Sequence, residues 1–385
     1  MTITLLFITL IIIIAASFTL AIDTDSGIAV IDGGKKNETI GMAIVLISMM
    51  VIMGGSNQNP DAVGYETIFE NPHSFRDPGF GLLVILFRGL GLDVYSMRLS
   101  LAVIGLLLIN SVVRKYLEPR YQALAFAAYF VSPFFLDVVQ VRNFFSMALF
   151  VYAMEKLVED SGRSGIIKYM LLMLIAASIQ KMFIIYFPLV ALEVVNRNRR
   201  IYKILLMTAL AAVIFFWCKP LMSLVIQIIV ALSSNTGVGQ SYVVRRTNLG
   251  GYANWIMIFL HFACVKYCIS IQESYGEHKD TKIYRFSRYT YISNLYGIVF
   301  LPLFLMTLDF LRIQRNLFIL NYIVYFATLS QNRKNNYNGK PNIVLIMFGL
   351  VTIVYTFFWM FLRDGGITGI ILPILTNNWI LGIGK

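Results

Sequence analysis

Long apolar runs separated by short polar segments fill the chain from end to end, and none alternates at every second position as a half-buried strand would. The clearest are Ile3 to Ile22, Leu101 to Val113 with its neighbours, and Ile343 to Leu362, the first and last of which reach the roughly 20 residues that cross a bilayer. The same pattern predicts spans near 3–22, 40–54, 96–113, 121–136, 143–158, 166–180, 182–195, 204–218, 255–270, 291–308, 316–330 and 342–362, about twelve in all. Two shorter stretches, Gly79 to Leu92 and Leu221 to Leu232, predict re-entrant or interfacial helices. Lipid offers backbone groups no partner, so these runs must be helical. The predicted fold class is all-α, a polytopic integral membrane helical bundle, with residues 1–385 forming a single domain. No linker rich in Pro, Gly or Ser and no internal repeat divides the chain. Ile3 to Ile22 reads as a span and not a secretory leader, because no basic residue follows Met1 and the run exceeds a leader's usual core.

Composition sharpens this picture. With 58% hydrophobic and 14% charged residues, the chain falls well below the roughly 25% charge of soluble domains, which excludes a water-soluble globule. The net charge of +12 suits nucleic acid, a membrane surface or an anionic substrate, and the position of the charges decides. Twenty of the 32 lysines and arginines fall in one set of loops, from Lys35 and Lys36 through Arg197–Lys203 to Arg333–Lys340. By the positive-inside rule that set is cytoplasmic, and no nucleic acid need be invoked. The N-terminus and the loops near 55–95, 137–142, 233–254 and 309–315, together with Gln180 and Lys181, are then outside and form the expected active-site face.

The outer cations are mostly arginines: Arg76, Arg88, Arg98, Arg142, Arg245, Arg246, Arg312, Arg315 and Arg363, against Lys181, Lys219 and Lys385. Lysine suffices as a topology signal, whereas a guanidinium fork binds phosphate or carboxylate through two parallel hydrogen bonds. An arginine-rich outer face therefore points to an anionic ligand. The competing reading has these arginines snorkel to headgroups or pair with Asp77, Asp93 and Asp309. Cys218, Cys264 and Cys268 lie in or beside apolar helices without a second ligand pair, so no metal site is indicated. His73, His261 and His278 fall in an outer loop, a span and an inner loop, which keeps them apart. A Ser-His-Asp arrangement, a phosphate-binding glycine loop and a nucleotide-binding domain are all missing, and no cofactor is expected.

Chemistry concentrates in the outer segments. The first reads Gly54-Gly55-Ser56-Asn57-Gln58-Asn59-Pro60-Asp61-Ala62-Val63-Gly64-Tyr65, then Arg76-Asp77-Pro78-Gly79-Phe80; the next are Gln140-Val141-Arg142-Asn143 and Gln180-Lys181. An Asn followed by Asp and Tyr after the second span, an acidic-Pro-Gly-Phe step opening a short helix, an Arg and a polar residue at the top of a span, and a polar pair after the next hairpin together resemble the EpsG branch of the Wzy-type polysaccharide polymerases. The motifs cover the chain to about Pro188; beyond it the likeness is in outline, through Arg245 and Arg246 and the arginines near Asp309. Where such proteins tend to carry a histidine, this chain has Gln180 and Lys181, so that acid/base role is missing.

The resemblance implies an enzyme of the bacterial cytoplasmic membrane that joins polyprenyl-diphosphate-linked oligosaccharide repeat units on the outer face, with lipid, a flippase and a chain-length regulator as partners. Glycosyl transfer from a diphosphate lipid needs cations for the leaving group and an acceptor for the attacking hydroxyl's proton. Arg142, Arg312 and Arg315 suit the first; Asp61, Asp77 and Asp309 suit the second. Tyr65, Phe80, Tyr252 and Trp255 suit stacking on sugar rings, and Asn143, Gln180, Lys181, Arg245 and Arg246 suit substrate binding. Asp61, set in a Pro/Gly turn, is the first candidate base, with Asp77, an arginine partner, second. The alternatives are a membrane glycosyltransferase using polyprenyl-monophosphate sugars, with Asp61 and Glu70 or Asp77 at its centre, and a lipid-linked sugar flippase, which the scarcity of mid-span charges disfavours.

Overall fold

The computed structural model describes residues 33–71, 77–160, 162–216, 250–274, 281–305, 308–334, 340–362 and 366–382. The expected span 3–22, the short helix 221–232, and Arg76, Arg245 and Arg246 lie outside them. Among the described residues every regular element is helical, and the only strand-like feature is an isolated bridge between Ser56 and Asn378. The chain packs as two compact units, one of residues 1–190, 325–342 and 353–385, the other of 191–324 and 343–352.

The first unit begins with α1 (Gly33–Gly55), followed by two short helices, α2 (Ala62–Glu70) and α3 (Pro78–Gly89). Pro78 at the first position of α3 has no N–H to leave unpaired, and the fixed φ of proline suits a helix start. The Gly79-to-Leu92 stretch is thus a short helix, as its length demands. Arg88 of α3 donates Nη1 to the free carbonyls of Phe69 (3.2 Å) and Glu70 (2.8 Å), closing the end of α2. Next comes α4 (Val94–Tyr116), whose N-terminus is capped by the Asp93 carboxylate accepting from Ser96 N at 2.8 Å.

The expected span 121–136 is interrupted. After α5 (Pro119–Tyr129) a π-helical turn carries non-helical Ser132 and Pro133, joined by a cis peptide bond, before α6 (Phe135–Val139). Proline removes a helix donor and clashes with the preceding turn, which hydropathy alone does not register. The expected loop Asp137–Arg142 is likewise corrected: α7 (Val141–Glu159) starts after Gln140 alone, and Asp137 is fully buried with Tyr129 Oη donating to it at 2.7 Å. α8 (Arg163–Ile179) returns, and the stretch Lys181–Ala191, with Pro188 inside it, is a 3₁₀-helix. Neighbours α1, α4, α7 and α8 pack in that sequence. Successive antiparallel passes bring the end of α1, the starts of α4 and α7 and the end of α8 to one end of this unit. At its other end Lys115 Nζ sits 2.6 Å from both Glu155 Oε1 and Glu159 Oε2.

The second unit contains α9 (Leu192–Arg197), α10 (Arg199–Phe216), α11 (Gly250–Ser274), α12 (Lys282–Ile298) and the single turn α13 (Arg312–Arg315), and α14 (Phe318–Lys334) begins in it. Gly250–Asn254, which the sequence reads as loop, already belongs to α11. The hydrophilic stretch Gln272–Tyr291 reads as an inner loop, yet α12 starts within it, at Lys282, capped by Thr281. Tyr284, Tyr289 and Tyr291 are buried, and several of its polar groups bond within the protein: Asn294 and Asn321 exchange amide hydrogen bonds of 2.7 and 3.2 Å. Hydropathy misreads such a helix because protein groups take the place of water for many of its polar atoms.

Beyond these lie α15 (Lys340–Phe357), with a π-helical extension to Leu362, and the short α16 (Leu372–Thr376). Among the described residues four helical stretches are long and apolar enough to cross a membrane: Val94–Tyr116, Pro119–Val139, Ala253–Ser274 and Ile343–Leu362. Large apolar side chains remain exposed along α8 (Ile167, Leu171, Leu174), α10 (Ile204, Met207, Ile214) and α15 (Ile343, Met347, Leu350). Water would penalise so much exposed apolar surface, whereas lipid does not. This is a membrane protein.

Candidate functional site

Four helix termini of the first unit bring together much of the chemistry seen in sequence. Arg142, in the first turn of α7, places Nη1 3.0 Å from Asp77 Oδ2, at the start of α3. The backbone N–H of Lys181, just past the end of α8, also donates to the Asp77 carboxylate. Asp77 is buried while the Lys181 side chain is exposed. Burial pushes the Asp77 carboxyl above the ordinary aspartate range, and Arg142 and the Lys181 N–H pull against that shift without cancelling it.

Aromatic rings brace the arginines. The Arg142 guanidinium lies 5.6 Å from the Phe80 ring centre; Phe80 meets Tyr65 edge-on with centroids 6.1 Å apart; Arg98 lies 5.7 Å from the Tyr65 ring. The order Arg98, Tyr65, Phe80, Arg142 alternates cation and quadrupole at the ends and stacks ring edge to ring face between. Tyr65 Oη also accepts the backbone N–H of Arg142 at 3.2 Å, satisfying one of the free donors at the start of α7. Burial raises the Tyr65 phenol, so it stays protonated. Tyr65 (6% exposed), Phe80 (0%) and Trp255 (7%) are buried, which corrects their expected use as stacking platforms.

Gln180 belongs to the same cluster by sequence position, and its side chain is buried with Oε1 lacking a hydrogen-bond partner. A buried amide oxygen without a donor is costly in a closed core and ordinary in a binding site. Asn143, 2% exposed, follows Arg142 on α7. Asp61 is exposed at the start of α2, its N–H donating to Asn59 Oδ1 at 3.2 Å in a side-chain turn, while Asn59 Nδ2 donates to Ser56 Oγ.

Arg98 is a residue that sequence reading counts only as a charge. It is 1% exposed, and its Nε and Nη2 have no hydrogen-bond partner. The available signal was its place in the second turn of an otherwise apolar helix, where a charge is by default functional. Also missed was Asn377-Asn378-Trp379 after α16, which clamps the end of α1: Asn378 Nδ2 donates to Val51 O (2.9 Å), Trp379 N to Gly55 O (2.9 Å) and Trp379 Nε1 to Gly54 O (3.1 Å). Polar residues in an apolar tail were the clue.

The second unit holds Asp309, Arg312 and Arg315. Arg312 Nη2 pairs with Asp309 Oδ1 at 3.1 Å, one turn away, and Arg315 is 4% exposed. His261 is buried, its ring stacked on Phe318 with centroids 3.8 Å apart, and Cys264 and Cys268 are buried free thiols.

The sequence model of the EpsG family matches residues 40–372, which carries the likeness far past Pro188, where the short motifs stop. No curated protein and no solved structure matches the chain.

Proposed function

Because the chain belongs to the EpsG family, a Wzy-like polymerase family, we propose that it joins polyprenyl-diphosphate-linked oligosaccharide repeat units on the outer face of the bacterial cytoplasmic membrane, within a single bundle of about twelve spans. The observation that carries this reading is the cluster of Arg142, Lys181 and Asp77 at one end of the first unit, braced by Phe80, Tyr65 and Arg98. A rigid guanidinium beside a flexible ammonium suits a diphosphate, whose charge grows as the bond from the anomeric carbon to its oxygen breaks. Asp77 fixes the Arg142 fork and is a positioning residue. The Gln180 amide supplies hydrogen bonds to a phosphate or a sugar hydroxyl.

In the reaction, a hydroxyl oxygen of one repeat unit attacks the anomeric carbon of another, and the lipid diphosphate leaves with the bonding electron pair. The hydroxyl proton passes to a carboxylate, for which exposed Asp61 is the candidate. Arg245, Arg246, Asp309, Arg312 and Arg315 are assigned to the same outer-face chemistry from sequence, and their share is tested residue by residue.

The test is extension of lipid-linked repeat units by purified protein, read as a ladder of products. Arg142→Lys keeps the charge and loses the fork, so extension should fall by about tenfold or more while expression and insertion stay normal. A ladder of normal length and rate would return Arg142 to a packing role.

A further inference from the structure

A second feature of the first unit lies on a different face of α2 from Tyr65. A cavity of about 570 Å³, open to its surroundings, is lined by Asn57, Gln58, Pro60, Glu66 and Tyr95 from the segment after α1 and from α2 and α4, and by Pro373 from α16. Its volume falls within the roughly 300–1,000 Å³ of small-molecule sites. Ala62, Val63 and Glu66 reach it from one side of α2, while Tyr65, one residue before Glu66 and so about 100° round the helix, faces the Arg142 cluster.

The lining selects its ligand class. Among the described residues no lysine or arginine lines the cavity, which disfavours phosphate, and its amides and carboxylate disfavour an acyl chain. Amide groups both donate and accept, as sugar hydroxyls do, and a carboxylate accepts from hydroxyls. Asn57 Oδ1 is buried without a hydrogen-bond partner. Glu66 Oε1 accepts from Tyr95 Oη at 2.9 Å, which fixes the carboxylate. Asn59 spends its amide on Ser56 and on the Asp61 N–H, so it shapes the wall. Pro60, Pro373 and the Tyr95 ring supply flat apolar patches of the kind that meet the C–H face of a pyranose.

We propose that this cavity is a binding subsite for an uncharged sugar residue of the glycan, held by Asn57, Gln58 and Glu66. The assignment rests on the polymerase reading for the identity of the glycan, and it separates the two jobs of one helix: Tyr65 braces the anion cluster and Glu66 holds sugar.

The experiment titrates the full chain in lipid nanodiscs with two probes: oligosaccharides released by mild acid from the polymer of the host strain, followed by saturation-transfer NMR, and farnesyl diphosphate. Gln58→Ala combined with Glu66→Gln should weaken oligosaccharide binding by about tenfold and leave farnesyl diphosphate binding within about twofold. Arg142→Lys should do the reverse. Gln58 is exposed, and the amide oxygen that replaces the Glu66 carboxylate can still accept from Tyr95, so the double variant should fold. Asn57→Ser, checked by thermal unfolding, is the independent second variant. Equal oligosaccharide affinity in wild type and variants, or no oligosaccharide binding by wild type, overturns the subsite. Failure of farnesyl diphosphate to bind, with extension indifferent to Arg142→Lys, counts instead against the polymerase reading.

Discussion

At Asp77, burial favours the neutral acid while Arg142 and the Lys181 N–H favour the carboxylate, and burial prevails far enough to raise the pKa. The ionised form is the one that holds the Arg142 fork. Extension should therefore fall as pH drops through a value above the ordinary aspartate range, and Asp77→Asn should run more slowly and lose that acid limb. Linkage separates this from unfolding: a carboxyl that binds its proton more tightly when folded contributes stability as pH falls, not instability. A pH–rate profile beside thermal unfolding at each pH checks both; an acid limb that survives unchanged in Asp77→Asn assigns it to another group. Asp77 and Arg142 could be nominated from sequence, since an acidic-Pro-Gly step and an arginine at a span end are local features. Their pairing could not, because the two residues are 65 positions apart and only the fold joins them.

Among the elements, α3 depends on a glycine. A Cβ on Gly79 would lie 2.8 Å from the backbone carbonyl carbon of Ser178 and run into its Oγ, so α3 can approach α8 only without a side chain there. Backbone cannot yield as a flexible side chain does, and Gly79→Ala should destabilise by about 1–3 kcal/mol while drawing Asp77 away from Lys181. Gly89→Ala, where a Cβ meets nothing within 4 Å, is the control and should leave unfolding near the wild-type value. A normal unfolding midpoint and full extension in Gly79→Ala would show that α3 relaxes freely. Helices such as α4, α7 and α8 were legible because their apolar runs are long. By contrast α12 was hidden by its tyrosines and amides, and the Asn377–Trp379 clamp because its partners lie more than 300 positions away.

For the whole molecule, the charge asymmetry read from sequence predicts sidedness, and local pairing does not distinguish the two sets of cations. Cations assigned to the inner side are tied down locally: Lys115 and Lys156 share Glu155 and Glu159, and Arg288 donates to Asn196 Oδ1 at 3.2 Å while lying 5.7 Å from the Tyr291 ring. Arg142 with Asp77 and Arg312 with Asp309 make pairs of the same kind on the side assigned outward. Sidedness itself is set by insertion, and positive-inside counting is its only sequence signal. Thr67 on α2 and Ser164 at the start of α8 are both exposed and belong to the same unit. The intervening 17-residue α8 spans about 25 Å, close to the thickness of the hydrocarbon core. With Cys218, Cys264 and Cys268 replaced, Thr67→Cys should react with an impermeant maleimide in intact cells, and Ser164→Cys only after permeabilisation. The opposite pattern would put Arg142, Asp77 and the cavity beside Glu66 on the cytoplasmic side, and every role proposed for those residues would have to be reassigned.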